Sequence, residues 1–166
     1  MTSFTDVARS LLAANVRFVV SGVFGVNYYA TGTLFATEDQ DLFLPRDAAN
    51  LLLAWQCCDV LGIELTANDE PLDRPRDLQL AIAVVDQAAL TTATDGDLVV
   101  VDFSLVMGAF DFEFVWARRR MFTSEGLALP VADLGDIVAA KRAADRPKDR
   151  LFLATHAAEL RRLLGR

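Results

Sequence analysis

Residues 37–45 read TEDQDLFLP, two aspartates one residue apart at the head of an apolar run that a proline closes. In a β-strand successive side chains point to opposite faces, so Asp39 and Asp41 would share one face with Cα atoms roughly 6.5–7 Å apart. Two carboxylates at that spacing repel unless something positive lies between them. A hard divalent cation such as Mg²⁺ satisfies them, because it accepts carboxylate oxygens and keeps its other positions for water and substrate phosphate. The competing reading is an edge strand with a wet face. Spacing alone does not separate the two, since Asp95-Gly96-Asp97 repeats it where Asp-Gly marks a turn.

The neighbouring segments bear on the choice. RFVVSG, residues 17–22, is β-branched and apolar, which reads as a buried strand running into a tight turn at Ser21-Gly22. Such a turn is either a plain strand-to-helix connection or a place where free backbone N–H groups receive phosphate oxygens. Leu98 to Phe103 forms the clearest strand of the chain, and Asp102 lies at its end, where burial of an unpaired charge is costly. If that strand lies beside the one with Asp39 and Asp41, three carboxylates converge.

The remaining periodicities give a leading helix over 4–14, a short helix over 23–29, and a helix from an Asp47 N-cap to Leu61 with Gly62 just past its end. Thr66 to Asp77 carries two prolines and reads as a surface loop, the best candidate for a mobile segment. LQLAIAVVD fits helix or strand. FEFVWARRRMF (112–122) alternates apolar positions in the manner of a strand, and GLALPVA adds another short one. Asp133 caps a helix, with Asp136 placed for a capping box, and Pro147 opens a last helix through Leu160. The expected fold class is α/β (α+β): a small mixed β-sheet flanked by helices, in one domain spanning 1–166 whose C-terminal part, about 133–166, is helical.

Composition sets limits. A chain of 166 residues hides roughly 70% of its unfolded surface in one domain, and 53% hydrophobic content is that of a globular protein. The formal charge of −7 argues against a protein whose main business is coating nucleic acid. Cys57 and Cys58 are adjacent and unsuited to pair with each other, and there is neither a basic n-region nor a run of about 18 apolar residues. A cytoplasmic protein with no membrane span is expected. His156, Tyr28 and Tyr29 read as packing residues, while Arg118 to Arg120 and the cluster Arg142, Arg146 and Lys148 read as solvated faces that could also meet phosphate.

The order of helix, strand with a Gly-containing turn, short helix, strand with Asp-x-Asp, helix, and later strand with one more Asp resembles the DNA polymerase beta-like nucleotidyltransferase superfamily. The resemblance is nearest to its minimal nucleotidyltransferases and the AbiEii-like toxin components of bacterial toxin–antitoxin systems. Those proteins carry a Gly-Gly or Gly-Ser turn, a Thr-x-Asp-x-Asp strand and a late segment of the form L..L...K...R.KD. Thr37, Asp39 and Asp41 follow that order, and LPVADLGDIVAAKRAADRPKD (129–149) resembles the late segment. Residues 66–94 match poorly.

The resemblance implies the nucleotidyltransferase fold and transfer of a nucleoside monophosphate from a nucleoside triphosphate to an RNA (tRNA) or protein acceptor, with Mg²⁺ or Mn²⁺ and a cognate toxin or antitoxin as possible partner. Asp39 and Asp41 would hold the metal, Asp102 would be the third carboxylate, and Ser21, Gly22, Thr37 and Lys141 would bind the nucleotide. The chain departs from the pattern in several places: Ser21 leads the turn where Gly is usual and bulky Val23 follows it, the stretch from the turn to Asp39 is longer, Phe35 stands where a basic residue is common, and Gln40 replaces an apolar residue between the aspartates. These departures motivate the alternative of a catalytically degenerate module that acts by protein–protein interaction.

Overall fold

The computed structural model describes residues 2–166, among which the chain forms eight helices and eight strands. In order these are α1 (Phe4–Ala13), β1 (Val19–Ser21), α2 (Gly22–Val26), β2 (Gln40–Phe43), α3 (Ala48–Val60), β3 (Glu64–Ala67), β4 (Glu70–Pro71) and α4 (Leu78–Asp86). There follow β5 (Thr91–Thr94), β6 (Val100–Ser104), α5 (Phe112–Arg118), β7 (Arg120–Ser124), β8 (Leu127–Val131), α6 (Leu134–Ala144), α7 (Pro147–Thr155) and α8 (Ala157–Leu163). The strands form one mixed sheet in the order β4-β3-β5-β6-β2-β1-β8-β7. The α/β expectation is met. Among the described residues no helix is long and apolar enough to cross a membrane.

Local chemistry sets the element ends. Ser3 and Asp6 form a reciprocal capping box at the start of α1, and the Asp47 carboxylate accepts from the Ala49 and Asn50 amides at the start of α3. At α6 the expected capping box is not completed. Asp133 accepts from the Gly135 amide, but Asp136 accepts instead from Arg118 Nε at 2.9 Å.

Strand alternation sorts the core into two layers. Val20, Leu42, Val101, Phe103 and Ala93 point to one face, beneath α1, α3 and α4. Val19 and Phe43 point to the other, beneath α2, α5 and α6, with Leu160 of α8 in the same layer. Each fully buried side chain of this kind stabilises the fold by roughly 1.5–3 kcal/mol relative to exposure.

Three further expectations need correction. Thr66 to Asp77 is not a loop throughout: β3 and β4 pair as a hairpin across Asn68 and Asp69, both at positive φ (53° and 61°). Those residue types tolerate the left-handed region that such a two-residue turn demands. Leu72 is buried behind the hairpin, and Arg76 pairs with Asp59 at 2.9 Å. Residues 112–118 form a helix rather than a strand, because Phe112 and Val115, three apart, share the buried side. Only Arg120 to Ser124 of that stretch is strand. The last helix is two helices that meet at His156, whose ring packs against Phe35 and Phe152 at 4.7 and 4.9 Å between centroids.

Candidate active site

The sheet brings the carboxylates together by register. β2 runs antiparallel to β1 with Asp41 opposite Ser21, and parallel to β6 with Asp41 opposite Asp102. β5 in turn sets Thr92 opposite Asp102. Directly opposed residues project to the same side, so Ser21, Asp41, Asp102 and Thr92 form one row across four strands, with neighbours about 4.8 Å apart along it. Asp39 sits one residue before β2 rather than inside the expected strand. The ladder stops there because β1 ends at Ser21 and turns into α2. Thr37 Oγ1 donates to the Asp39 carbonyl at 3.1 Å and shapes the approach to the strand.

Ser21, Asp41 and Asp102 of this row line a cavity of about 700 Å³, with Thr92 behind Asp102. Ser21, Gly22, Thr37, Asp39, Asp41, Asp102 and Lys141, the seven residues singled out in the sequence, all line it. Val23 lines it as well, so the bulky residue after the turn faces the site. Gly22 has φ +63°, and a Cβ there would stand 2.0 Å from Asp41 Oδ2. The Asp41 carboxylate therefore rests against the bare Cα of the turn, and only glycine serves at that position.

Electrostatics marks the same residues. Burial, then the charges of Asp102 and Asp39, pushes the Asp41 carboxyl up to about 7, against the opposing pull of Lys141 and Lys148. Burial also raises Asp102, and the Thr92 hydroxyl, donating to Asp102 Oδ1 at 2.7 Å, offsets part of that rise. Among the described residues no hydrogen bond or ion pair is made to the Asp41 carboxylate.

Two half-buried carboxylates side by side with spare lone pairs are the donor chemistry of a hard divalent ion, which needs only one or two carboxylates beside water and phosphate. The described residues contain no group of three His, Cys, Asp or Glu already gathered as a full ligand set. The fit therefore lies with Asp41 and Asp102, with Asp39 at the rim.

The opposite wall is cationic. Lys141 of α6 lies 3.4 Å from Asp149, and Arg146 Nε donates to Asp149 at 2.6 Å. Arg146, Lys148 and Asp149 all line the cavity; in the sequence the first two read as a solvated face that could also meet phosphate, and Asp149 as the end of the late segment with no role of its own. Their signal was the late segment itself, where Pro147 starts a new helix and folds them back. Arg118 to Arg120 contribute nothing to the cavity among its described lining residues. Arg118 pairs with Asp136, Arg119 stacks on Trp116 at 3.8 Å, and Arg120 lies on edge strand β7.

The fold has a counterpart in a solved structure. The chain is similar to the antibiotic-resistance factor ANT(2'')-Ia, an aminoglycoside nucleotidyltransferase, with a TM-score of 0.51 and 16% identity, over 98% of this chain and 90% of that one. The fold is of nucleotidyltransferase type. At the level of sequence, no family model and no curated protein matches the chain.

Two of the departures, Gln40 and Phe35, have physical accounts. Gln40 Oε1 accepts from the Val100 amide at 3.0 Å and so secures the start of β6 beside β2. Phe35 is buried against Phe152 and His156, and Asn27 bonds its backbone in both directions, at 2.8 and 3.0 Å. A basic residue there would be a buried charge. Tyr28 and Tyr29 pack against Phe122, and Tyr29 donates to the Ala132 carbonyl, which fits the packing role expected of them.

Proposed function

We propose that this protein is a divalent-metal-dependent nucleotidyltransferase that moves a nucleoside monophosphate from a nucleoside triphosphate to a hydroxyl-bearing acceptor, an RNA or a protein. The single observation that carries the reading is the Ser21–Asp41–Asp102 row facing the Lys141, Arg146 and Lys148 wall across one cavity. Nucleotidyl transfer asks little covalent chemistry of a protein. It asks for in-line placement and for offset of charge on the transferring phosphate, which carboxylate-held cations and basic side chains supply. The cavity holds those residue types, and the mechanism calls for no cysteine or histidine.

Asp41 and Asp102, with Asp39 at the rim, would hold Mg²⁺ or Mn²⁺. The bound ion would neutralise triphosphate charge and favour the attacking hydroxyl. Asp102 keeps Oδ1 bonded to Thr92 and leaves Oδ2 free to orient the acceptor hydroxyl and take its proton. Lys141, Arg146 and Lys148 would meet phosphate oxygens from the other side. Ser21 and Gly22 would bring the backbone of the turn close to the triphosphate, and Thr37 stands at the mouth.

Replacing Asp41 with Asn tests the reading. Divalent-dependent nucleoside triphosphate binding, measured by calorimetry, is expected to vanish while the thermal melt stays cooperative. Unchanged binding would sink the proposal.

A further inference from the structure

We infer that Asp149 is a positioning residue that fixes Lys141 and Arg146 as a preorganised cationic wall aimed at the substrate's polyphosphate. The inference rests on the nucleotide reading of the cavity.

Asp149 is 1% exposed, the most buried ionisable side chain at the site. Its Oδ2 accepts from Arg146 Nε at 2.6 Å and from the Arg146 amide at 3.4 Å, and its Oδ1 accepts from Arg146 Nη2 at 3.3 Å and Lys141 Nζ at 3.4 Å. Lys141 lies in α6 and Arg146 immediately before α7, on either side of a corner where Asp145 is left-handed (φ 50°). One buried carboxylate thus ties two helices together at the point where both present a cation to the cavity.

The bonding leaves capacity to spare. Lys141 uses one of its three N–H donors on Asp149, and Arg146 uses two of its five side-chain donors. The remainder is free for an anion. Two cations on one anion leave the wall net positive, and Phe152, 5.1 Å from Lys141 Nζ, backs the ammonium. Burial alone would raise the Asp149 carboxyl, but the Arg146 hydrogen bonds and the Lys141 charge outweigh it and hold the group below its ordinary range. It is therefore a fixed anion throughout the neutral range. Partners that orient metal ligands matter by about 10- to 100-fold in affinity or activity, and the same scale is expected for a carboxylate that anchors two anion-binding cations.

The sign of one substitution separates positioning from simple charge balance. Asp149→Asn removes a negative charge from beneath two cations, so charge balance alone predicts tighter anion binding. Positioning predicts weaker binding, by about tenfold or more, because the two side chains lose their anchor. The probe is inorganic tripolyphosphate titrated calorimetrically into divalent-free protein at fixed ionic strength. A loss of about tenfold that disappears in a Lys141→Met/Arg146→Met background supports the inference. Equal or tighter binding by a folded Asp149→Asn variant overturns it and leaves the nucleotide reading intact. Failure of the unaltered protein to bind tripolyphosphate without divalent ions also overturns the inference, whereas the nucleotide reading falls only if binding is absent with Mg²⁺ present as well.

If Asp149→Asn does not fold, the ¹⁵N spectrum of the unaltered protein decides. The Arg146 Nε–H resonance, identified by its loss in Arg146→Lys, is expected to exchange slowly in the free protein. Rapid exchange there overturns the inference.

Discussion

Asp41 of β2 and Asp102 of β6 are direct partners in a parallel ladder, and the residue that supports each comes from the next strand outward. Gly22, after β1, leaves room for the Asp41 carboxylate, and Thr92 of β5 bonds that of Asp102. The carboxylate pair is thus a product of sheet order, and each supporting contact can be tested separately.

The pH dependence of stability follows from Asp41. Its folded-state value of about 7 lies above the ordinary 3.8, so between those limits the folded protein binds a proton that the unfolded chain has released. Stability from this group is therefore lost as pH rises through that window. Relative to Asp41→Asn, the divalent-free protein is expected to lose on the order of 2 kcal/mol between pH 5 and pH 8, several degrees of melting temperature. Parallel pH slopes for the two proteins would refute this. Adding Mn²⁺ at pH 8 should restore stability to the unaltered protein alone, by mass action on the folded state.

Gly22→Ala is expected to cost at least about 1–2 kcal/mol for its left-handed backbone, and more for a Cβ that collides with Asp41 Oδ2. Mn²⁺ affinity should fall with it, because Asp41 is the atom set that must move. Gly32→Ala is the control, since a Cβ there meets nothing within 4 Å. Denaturant titration of both variants checks the contrast.

Thr92→Val keeps the β-branched shape that suits β5 and removes only the hydroxyl given to Asp102. Stability is expected to change by about 1 kcal/mol or less, while kcat for transfer drops about tenfold with KM for the triphosphate little changed. Thr92→Ser should retain most of the rate. A loss confined to KM would contradict the role given to this bond.

Asn27→Ala should free the loop that leads to Thr37 and Asp39. The Phe35 N–H and C=O would each lose a partner in a half-buried setting, at about 1–3 kcal/mol. Hydrogen exchange at the Phe35 amide is expected to accelerate far more than exchange within β6. Equal protection in both proteins would show that the loop is held by other contacts.

The parts of this site legible in sequence were those fixed by short-range pattern. The Asp-x-Asp spacing, the β-branched strand ending at Ser21-Gly22 and the apolar strand carrying Asp102 each declare themselves within a few residues. The adjacency of β2 and β6 was a conditional in the sequence, and the sheet order supplies it. What stayed hidden depends on tertiary partners. Asp149 closes the late segment in the sequence, but its role is not legible until the α6–α7 corner sets it beneath Lys141 and Arg146. The 112–118 helix hid behind alternating aromatics, because Arg17 covers Phe112 and Trp116, at 5.1 and 5.0 Å, and so partners a face that alternation alone assigns to a strand. The β3–β4 hairpin was masked by prolines that an edge strand tolerates.

The most direct test of the central claim is transfer of label from each α-³²P nucleoside triphosphate, in Mg²⁺ or Mn²⁺, to total RNA and lysate protein, run beside γ-labelled controls. The account predicts that α-label becomes attached to an acceptor, that γ-label is never attached, and that a folded Asp41→Asn variant transfers nothing. Absence of α-label on any acceptor, or equal transfer by Asp41→Asn, would contradict it.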